Sequence, residues 1–500
     1  MVGALEALLM VVLLHFLALA TTTTTAAAAG AGAGATNFQE LNVKEVIAGT
    51  KIHPSQLGNY QELSKNNDDP AETDEWKWKL NLVHRDVISA GNLSGHGRRF
   101  YERIKRDIKR VTSLTRRLTG RAEKTTKNSS SSGGGGGGFE VEDFGSEVVS
   151  GMDLGSGEYF VRIGVGSPPR SQYMVIDSGS DIMWVQCQPC NQCYRQADPV
   201  FDPSDSATFS GVSCKSTVCD RLDRNSGCHA GKCRYEVSYG DGSYTKGTLA
   251  FETLTFGRTV VRNVAIGCGH MNRGMFVGAA GLLGLGGGPM SFIGQLGAQI
   301  DSAFGYCLVS RGTGSYGSLV FGRGVVPKGI ASWVPLLRNP RVPTFYYVDL
   351  VGLGVGATRL PISEDLFKLS EMGDGGVVMD TGTAVTRLPL SAYEMFRDYF
   401  IAGTVGLPRA SGVAIFDTCY DLFGFEMVRV PTVSFYFSGG SILTLPARNF
   451  LIPVDEIGTF CFAFAPSSLG LSIIGNIQQE GIQISFDGAN GLVGFGPNTC

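Results

Sequence analysis

From about residue 155 onward the sequence predicts an all-β protein built as two similar lobes. Three observations carry that expectation. Short runs rich in Val, Ile, Phe and Tyr alternate with Gly, Pro, Asn and Asp turn residues. One motif, an apolar run ending in Asp and followed by hydroxyl, Gly and hydroxyl, occurs twice. All 12 cysteines lie between Cys187 and Cys500, and the first 186 residues have none.

The 500 residues are long enough to bury a large core. A hydrophobic content of 43% excludes a wholly disordered chain. The net charge of -3 excludes a nucleic-acid binder by overall charge. An even number of cysteines packed into one region reads as a disulfide framework in an oxidising compartment. Charge divides the chain further. Residues 98–127 carry 12 basic and 3 acidic side chains, whereas residues 128–500 carry 24 basic and 32 acidic.

Taken in order, the first element is an apolar run of 13 residues, 8–20, interrupted only by His15. It is short for a membrane span and suits a signal peptide covering 1–20, with Ala18-Leu19-Ala20 as a cleavage site and alternatives up to about residue 35. Glu6 and the absence of Lys or Arg before the run leave an uncleaved anchor or a transit segment as the other reading. Residues 21–138 read as a pro-segment. Within it, 98–127 is predicted as a basic amphipathic helix with Phe100, Ile104, Ile108 and Val111 at helical spacing. Asn92 and Asn128 begin glycosylation sequons, and four Ser and six Gly over 129–138 form a flexible linker open to processing.

The body follows, with lobes expected at 139–335 and 336–500. Strands are predicted at 159–165, 173–176, 249–256, 260–266, 345–353, 430–437 and 482–486, and the best helix at 391–400. Tyr173-Met-Val-Ile-Asp177-Ser178-Gly179-Ser180 is echoed by Val377-Val-Met-Asp380-Thr381-Gly382-Thr383. The two aspartates lie 203 residues apart, about one β-domain. Each copy is followed by an apolar-apolar-Gly echo, at Leu282-Leu283-Gly284 and Ile473-Ile474-Gly475. Such a repeat predicts two lobes facing each other with one Asp from each at the junction.

Two carboxylates at hydrogen-bond distance cannot both ionise, so the pair shares one proton. The ionised member can take a proton from a bridging water, and the protonated member can donate to a carbonyl oxygen. That is general acid–base hydrolysis of an amide without a covalent intermediate. Gly179 and Gly382 allow tight turns with backbone N–H groups near the carboxylates, and the flanking hydroxyls can hydrogen-bond around them.

The paired motifs resemble the bilobal pepsin-like aspartic proteases, over about residues 155–500. The resemblance implies Asp177 and Asp380 as catalytic dyad. Ser178 and Thr381 would cross-link the lobes beneath it, and Ser180 and Thr383 would bond the outer carboxylate oxygens. Trp184 matches the family's Trp slot. Tyr239-Gly240-Asp241-Gly242-Ser243 resembles the flap tip, with Tyr239 closing over substrate and reaching Trp184. The first motif has Ser where Thr is usual, which predicts slight loosening, and Asp241 departs from the animal enzymes' flap. Cys187, Cys190, Cys193, Cys214, Cys219, Cys228 and Cys233 form an insertion between first motif and flap. That insertion, the absence of a saposin-like one and Trp78–Asp86 resemble the nepenthesin-like plant branch.

A zinc reading of Cys187–Cys193 lacks a completing His-x-His or second tight pair, so disulfides are expected there. Connectivity is not readable from sequence for any of the 12 cysteines, Cys268, Cys307 and Cys500 included. The resemblance implies a Cys419–Cys461 pair. The basic stretch could bind nucleic acid or anionic lipid, but masking of the acidic body is simpler, with the attraction weakening as carboxylates protonate. It fails if the precursor matures equally fast at neutral and acidic pH.

These readings converge on an aspartic endopeptidase, made as a secretory zymogen and cleaving extended peptides at acidic pH. The pro-segment is the expected inhibitor, with no metal, organic cofactor, nucleic acid or stable membrane span. A monomer in the extracellular space is expected, with vacuole, endoplasmic reticulum or plastid as alternatives. The rival is a weak or inactive binding protein on the same fold, as some plant relatives inhibit cell-wall glycosidases. Loss of a dyad Asp would mark it, and both are present.

Overall fold

The computed structural model describes residues 37–50, 78–84, 95–119, 159–222, 226–239, 243–274, 276, 278–310, 317–322, 332–467 and 470–498. The apolar run 8–20, the Ser/Gly linker, Asn92, Asn128, Gly240, Asp241 and Cys500 lie outside these. The protein is mostly β, organised around one large twisted sheet system with two smaller four-stranded sheets. Among the described residues no helix is long and apolar enough to cross a membrane.

The front of the chain is hydrogen-bonded into the body. Strand β1 (Phe38–Asn42) pairs antiparallel with Met427–Pro431. Helix α1 (Val43–Gly49) starts where Asn42 caps it, its Oδ1 accepting from the Glu45 N–H at 2.9 Å. It buries Val43 and Val46. Strand β2 (Trp78–His84) lies between Gly317–Phe321 and β3 (Tyr159–Val165), antiparallel to both. Leu80 and Leu82 alternate inward from it, the period-two pattern of a strand facing a core. Helix α2 (His96–Thr119) is the long basic helix.

In the first lobe β4 (Arg170–Asp177) pairs antiparallel with β3 and delivers Asp177 at its C-terminal end. The chain turns into β5 (Trp184–Gln186). Strands β6 (Lys232–Ser238) and β7 (Tyr244–Phe256) form the hairpin that holds Tyr239 just past β6. Strand β8 (Thr259–Arg273) returns along β7 and runs parallel to β5. Strand β9 (Gly281–Gly284) then inserts parallel to β4 and antiparallel to β5, with Gly284 opposite Asp177. A Cβ on Gly284 would lie 2.2 Å from the Asp181 carbonyl oxygen, so no side chain fits there.

The second lobe repeats this arrangement. Strand β12 follows β10 (Ala303–Cys307) and β11 (Gly317–Phe321), spans Val377–Met379 and leads into Asp380. Strand β13 (Thr386–Pro389) precedes α3 (Leu390–Gly403). Strand β14 (Ser472–Ile474) inserts parallel to β12 and meets β13 antiparallel at Arg387. Gly475 faces the same restriction, since a Cβ would lie 2.6 Å from the Ala384 carbonyl oxygen. The two apolar-apolar-Gly echoes are thus the two inserted strands, and their glycines are required by close backbone approach. Strand β15 (Ile482–Asp487) pairs with β10, which joins the lobes through one sheet.

The core is aromatic-rich. Phe304 stacks on Phe486 at 4.7 Å across the β10–β15 junction. Helix α3 buries Ala392, Tyr393, Phe396 and Phe400, a spacing of three to four that puts one face inward. Phe400 stacks on Phe462 at 4.2 Å. The predicted strands 345–353 and 430–437 each break in two. Tyr346–Val348 pairs with β12, while Leu350–Val355 pairs with Val433–Phe437, so the chain changes sheets at Asp349.

The cysteines pair as Cys187–Cys268, Cys190–Cys193, Cys214–Cys228, Cys219–Cys233 and Cys419–Cys461, and Cys307 is also disulfide-bonded. Cys187 therefore reaches past the β6–β7 hairpin to β8, while the other six cysteines of the insertion pair among themselves.

A candidate active site between two carboxylates

Asp177 and Asp380 stand at the ends of β4 and β12, both buried at the junction of the lobes. Each is held by the same set of donors. The Gly179 N–H donates to Asp177 Oδ1 and the Gly382 N–H to Asp380 Oδ1, both at 3.0 Å. The Ser180 hydroxyl donates to Asp177 Oδ2 at 2.6 Å, and the Thr383 hydroxyl to Asp380 Oδ2 at 2.5 Å. Beneath them, the Ser178 N–H donates to Thr381 Oγ1 at 3.1 Å and the Thr381 N–H to Ser178 Oγ at 3.0 Å. The two motifs are thus tied across the lobes by a reciprocal pair of bonds. A Cβ on Gly179 would sit 2.7 Å from Asp380 Oδ1, and one on Gly382 would sit 2.9 Å from Asp177 Oδ1. The close approach of the two loops leaves room for glycine alone.

Trp184 is fully buried, and its Nε1–H donates to the Tyr239 hydroxyl at 3.0 Å. Phe276 packs edge-on against both rings, at 5.1 Å from Trp184 and 5.4 Å from Tyr239. The Tyr239 N–H donates to the Ser243 carbonyl at 2.7 Å and closes the base of the hairpin tip. Gly240 and Asp241 of that tip lie outside the described residues.

A residue the sequence reasoning missed occupies the centre. Arg110, on α2, places its guanidinium against both carboxylates. Its Nη2 lies 2.7 Å from Asp177 Oδ1 and 3.0 Å from Asp380 Oδ1. Its Nη1 donates to Asp177 Oδ2 and its Nε to Asp380 Oδ2, both at 3.1 Å. The planar fork suits two carboxylates side by side. Burial pushes the guanidinium pKa down, but the charges of Asp177 and Asp380 outweigh it and hold it above the ordinary value. Burial likewise pushes Asp177 up, and the Arg110 charge with the bonds from Ser180, Gly179 and Arg110 hold it below the usual carboxylate range.

The rest of α2 follows the cleft. Phe100 packs against Phe416, with ring centroids 6.0 Å apart. Arg103 Nη2 donates to Asn476 Oδ1 at 2.6 Å and lies 3.4 Å from Glu480 Oε1. Asp107 accepts from the Ala384 and Val385 N–H groups and pairs with Arg387. The expected apolar stripe 100/104/108/111 is corrected on one side, because Ile108 is 44% exposed. The buried face reads Phe100, Arg103, Ile104, Asp107, Arg110 and Leu114, charged in the middle because the cleft it fills is charged. Nothing in a stretch of 12 basic residues singles out Arg110; the only clue is Asp107 three residues before it on the same helix face.

Among the described residues no group of three or more His, Cys, Asp or Glu side chains converges as metal ligands would. Chemically, the arrangement presents two carboxylates with fully bonded outer oxygens and inner oxygens directed at one shared cation.

Comparison with known proteins places this geometry among relatives. The family described as "Xylanase inhibitor N-terminal" matches residues 159–323, and "Xylanase inhibitor C-terminal" matches 345–497. The chain is 68% identical over 424 residues to "Protein ASPARTIC PROTEASE IN GUARD CELL 2" of Arabidopsis thaliana, covering 85% of this chain and 88% of that one. It is 38% identical over 363 residues to "Aspartic proteinase nepenthesin-1" of Nepenthes gracilis, covering 71% and 81%. Among solved structures, "Crystal structure of edgp" is similar with TM-score 0.57 at 21% identity, covering 67% of this chain and 91% of that chain. "Crystal structure of Basic 7S globulin from soybean" follows with TM-score 0.54 at 20% identity, covering 69% and 94%.

Proposed function

The chain belongs to the plant branch of the pepsin-like aspartic proteases, and on that premise we propose that it is an acid endopeptidase held as a precursor by Arg110. The observation that carries this reading is the Arg110 guanidinium bonded to both inner carboxylate oxygens. It fills the position that a hydrolytic water and a scissile carbonyl would need.

With Arg110 withdrawn, Asp177 and Asp380 are left close together and share one proton. The ionised carboxylate takes a proton from a water bound between them as the water attacks the peptide carbonyl carbon. The protonated carboxyl donates to the carbonyl oxygen. Collapse of the tetrahedral diol then moves a proton to the leaving nitrogen and breaks the C–N bond. The N–H and hydroxyl donors on each Asp fix orientation without supplying protons. Tyr239, held by Trp184, covers the substrate from the flap.

Arginine does not deprotonate at physiological pH. Release of the latch therefore has to come from the carboxylates. Asp177 is depressed in the latched state, so its contribution is full above the ordinary carboxylate pKa, about 3.9. It is lost as pH falls through the lowered value. Acidification thus weakens the latch and supplies the dyad's single proton. Residues 1–20 serve as signal peptide and 21–138 as the pro-segment removed on maturation, with the secreted lobes at 139–335 and 336–500.

A second reading, a binding protein on the same fold, is favoured by the inhibitor description of the matched family. Both aspartates with complete donor sets support hydrolysis over it. The deciding experiment acidifies the full-length protein and follows peptide hydrolysis at roughly pH 3–5, where a shared-proton pair is active, with and without a statine-type inhibitor. Inhibitor-sensitive cleavage that Asp177→Asn and Asp380→Asn each abolish is the expected result. Processed protein that cleaves nothing favours the binding reading.

A further inference from the structure

The one acidic side chain that α2 buries in the cleft sits among three donors. Asp107 is 2% exposed. Its Oδ1 accepts from the Ala384 N–H at 2.6 Å and the Val385 N–H at 2.9 Å, and its Oδ2 pairs with Arg387 Nη2. The donors all belong to the second lobe, in the segment directly following Asp380-Thr-Gly-Thr383. The carboxylate belongs to the helix that leaves with the pro-segment.

Arg387 makes the pocket more than a backbone turn. It is 5% exposed, on β13, and its buried Nε has no hydrogen-bond partner among the described residues. With α2 in place, Asp107 supplies the carboxylate that this buried guanidinium needs. When α2 departs, the two N–H groups and the guanidinium converge on a vacated point, and a carboxylate satisfies all three in the way Asp107 does.

We propose that Arg387, with the N–H groups of Ala384 and Val385, forms a substrate subsite for the side-chain carboxylate of an Asp or Glu residue, and that Asp107 occupies it in the precursor. The subsite rests on the endopeptidase reading and adds a substrate class to it. Its position follows from the helix. Asp107 and Arg110 are three residues apart, about 4.5 Å along the axis. An extended peptide advances about 3.3 Å per residue. The acidic residue therefore falls one or two positions from the cleaved bond.

The test uses the full-length protein after acid processing and pairs of peptides identical except for Glu or Gln. The exchange is made at each of the two positions on either side of the cleaved bond. Assays at about pH 5 stay within the range where the shared-proton pair is active and keep Glu mostly ionised, since its ordinary pKa is about 4.3. At one position the Glu peptide is expected to show a kcat/KM about tenfold above its Gln partner, the scale of one charge-assisted hydrogen bond. The gain should appear mainly in KM. In Arg387→Gln the Glu/Gln ratio should fall to about one, and Arg387→Lys should restore part of it. A ratio near one at all four positions in the wild type overturns the subsite, as does an unchanged ratio in Arg387→Gln. If Arg387→Gln does not fold, the wild-type peptide pairs still decide. Cleavage of the Gln peptides without preference overturns the subsite alone, whereas cleavage of no peptide overturns the endopeptidase reading with it.

Discussion

Ser178 and Thr381 exchange hydrogen bonds across the lobes, each backbone N–H donating to the other's hydroxyl at 3.1 and 3.0 Å. Their positions differ by 203 residues, yet the geometry is almost symmetric. Ser178→Ala removes the acceptor for the buried Thr381 N–H. A buried donor left unpaired costs about 1–3 kcal/mol. Ser178→Ala and Thr381→Ala are expected to lower stability by that amount and kcat by more than tenfold, since both Asp loops ride on the pair. Ser178→Thr, which keeps the hydroxyl, should retain both. Urea midpoints alongside initial rates check this, and a Ser178→Ala enzyme as active as wild type would refute it.

Arg110→Met in the full-length protein leaves Asp177 and Asp380 buried without their cation. Breaking a buried pair in this way costs about 3–5 kcal/mol. The gap between wild type and variant should be full at neutral pH, because the Arg110 charge is the largest of the causes that lower Asp177, ahead of the bonds from Ser180 and Gly179. It should narrow as pH falls below the ordinary carboxylate range, where protonation removes the wild-type advantage. Denaturant midpoints across pH measure it. A gap that stays constant from neutral to acid would show that Arg110 contributes through packing alone.

How far the sequence reveals this site depends on whether the signal is local. Asp177 and Asp380 are legible because each sits in a short motif whose residues touch one another: Ser180 on Asp177, Thr383 on Asp380. The glycines of the two echoes are legible as a repeat, though only the inserted strands explain why Gly284 and Gly475 tolerate no Cβ. Arg110, Asp107 and Arg387 are not legible. Their partners lie 67 to 280 residues away, and one cation among many has no local mark. The split of 345–353 at Asp349 is hidden for a related reason, since the run is apolar on both sides of the point where it changes sheets.

The Trp184–Tyr239 bond anchors Tyr239 at the base of the β6–β7 hairpin tip, the proposed flap. Trp184→Phe keeps most of the apolar volume against Phe276 and removes the donor to the Tyr239 hydroxyl. One neutral hydrogen bond is worth about 1 kcal/mol, so kcat/KM should fall about fivefold, with a separate loss of thermal stability from the smaller ring at this fully buried position. Tyr239→Phe should give the same loss in kcat/KM, and the double variant no more than either single, because both remove one interaction. Additive losses would mean the two side chains act independently.

Two disulfides of different location give the sharpest separation of stability from function. Cys187–Cys268 closes a sequence separation of 81 and Cys419–Cys461 one of 42. In the chain-entropy picture their contributions differ by only about 0.6 kcal/mol, because the dependence on loop length is logarithmic. Replacing either pair by Ala should therefore lower stability by a similar amount, about 2–5 kcal/mol. The functional cost should not be similar. Cys187 follows directly on β5, which carries Trp184, and Cys268 lies on β8 beside it, where Gly267 is in register with Trp184. Removing that bond loosens the strand on which Tyr239 depends, so KM should rise while kcat changes little. Cys419–Cys461 joins Cys419–Asp421 to Thr459–Phe462, in the small sheet of the second lobe. Its loss should leave KM for peptides with no side chain reaching that sheet where it was. Equal KM values for the two double variants, at equal stability, would remove the link between the first disulfide and the flap.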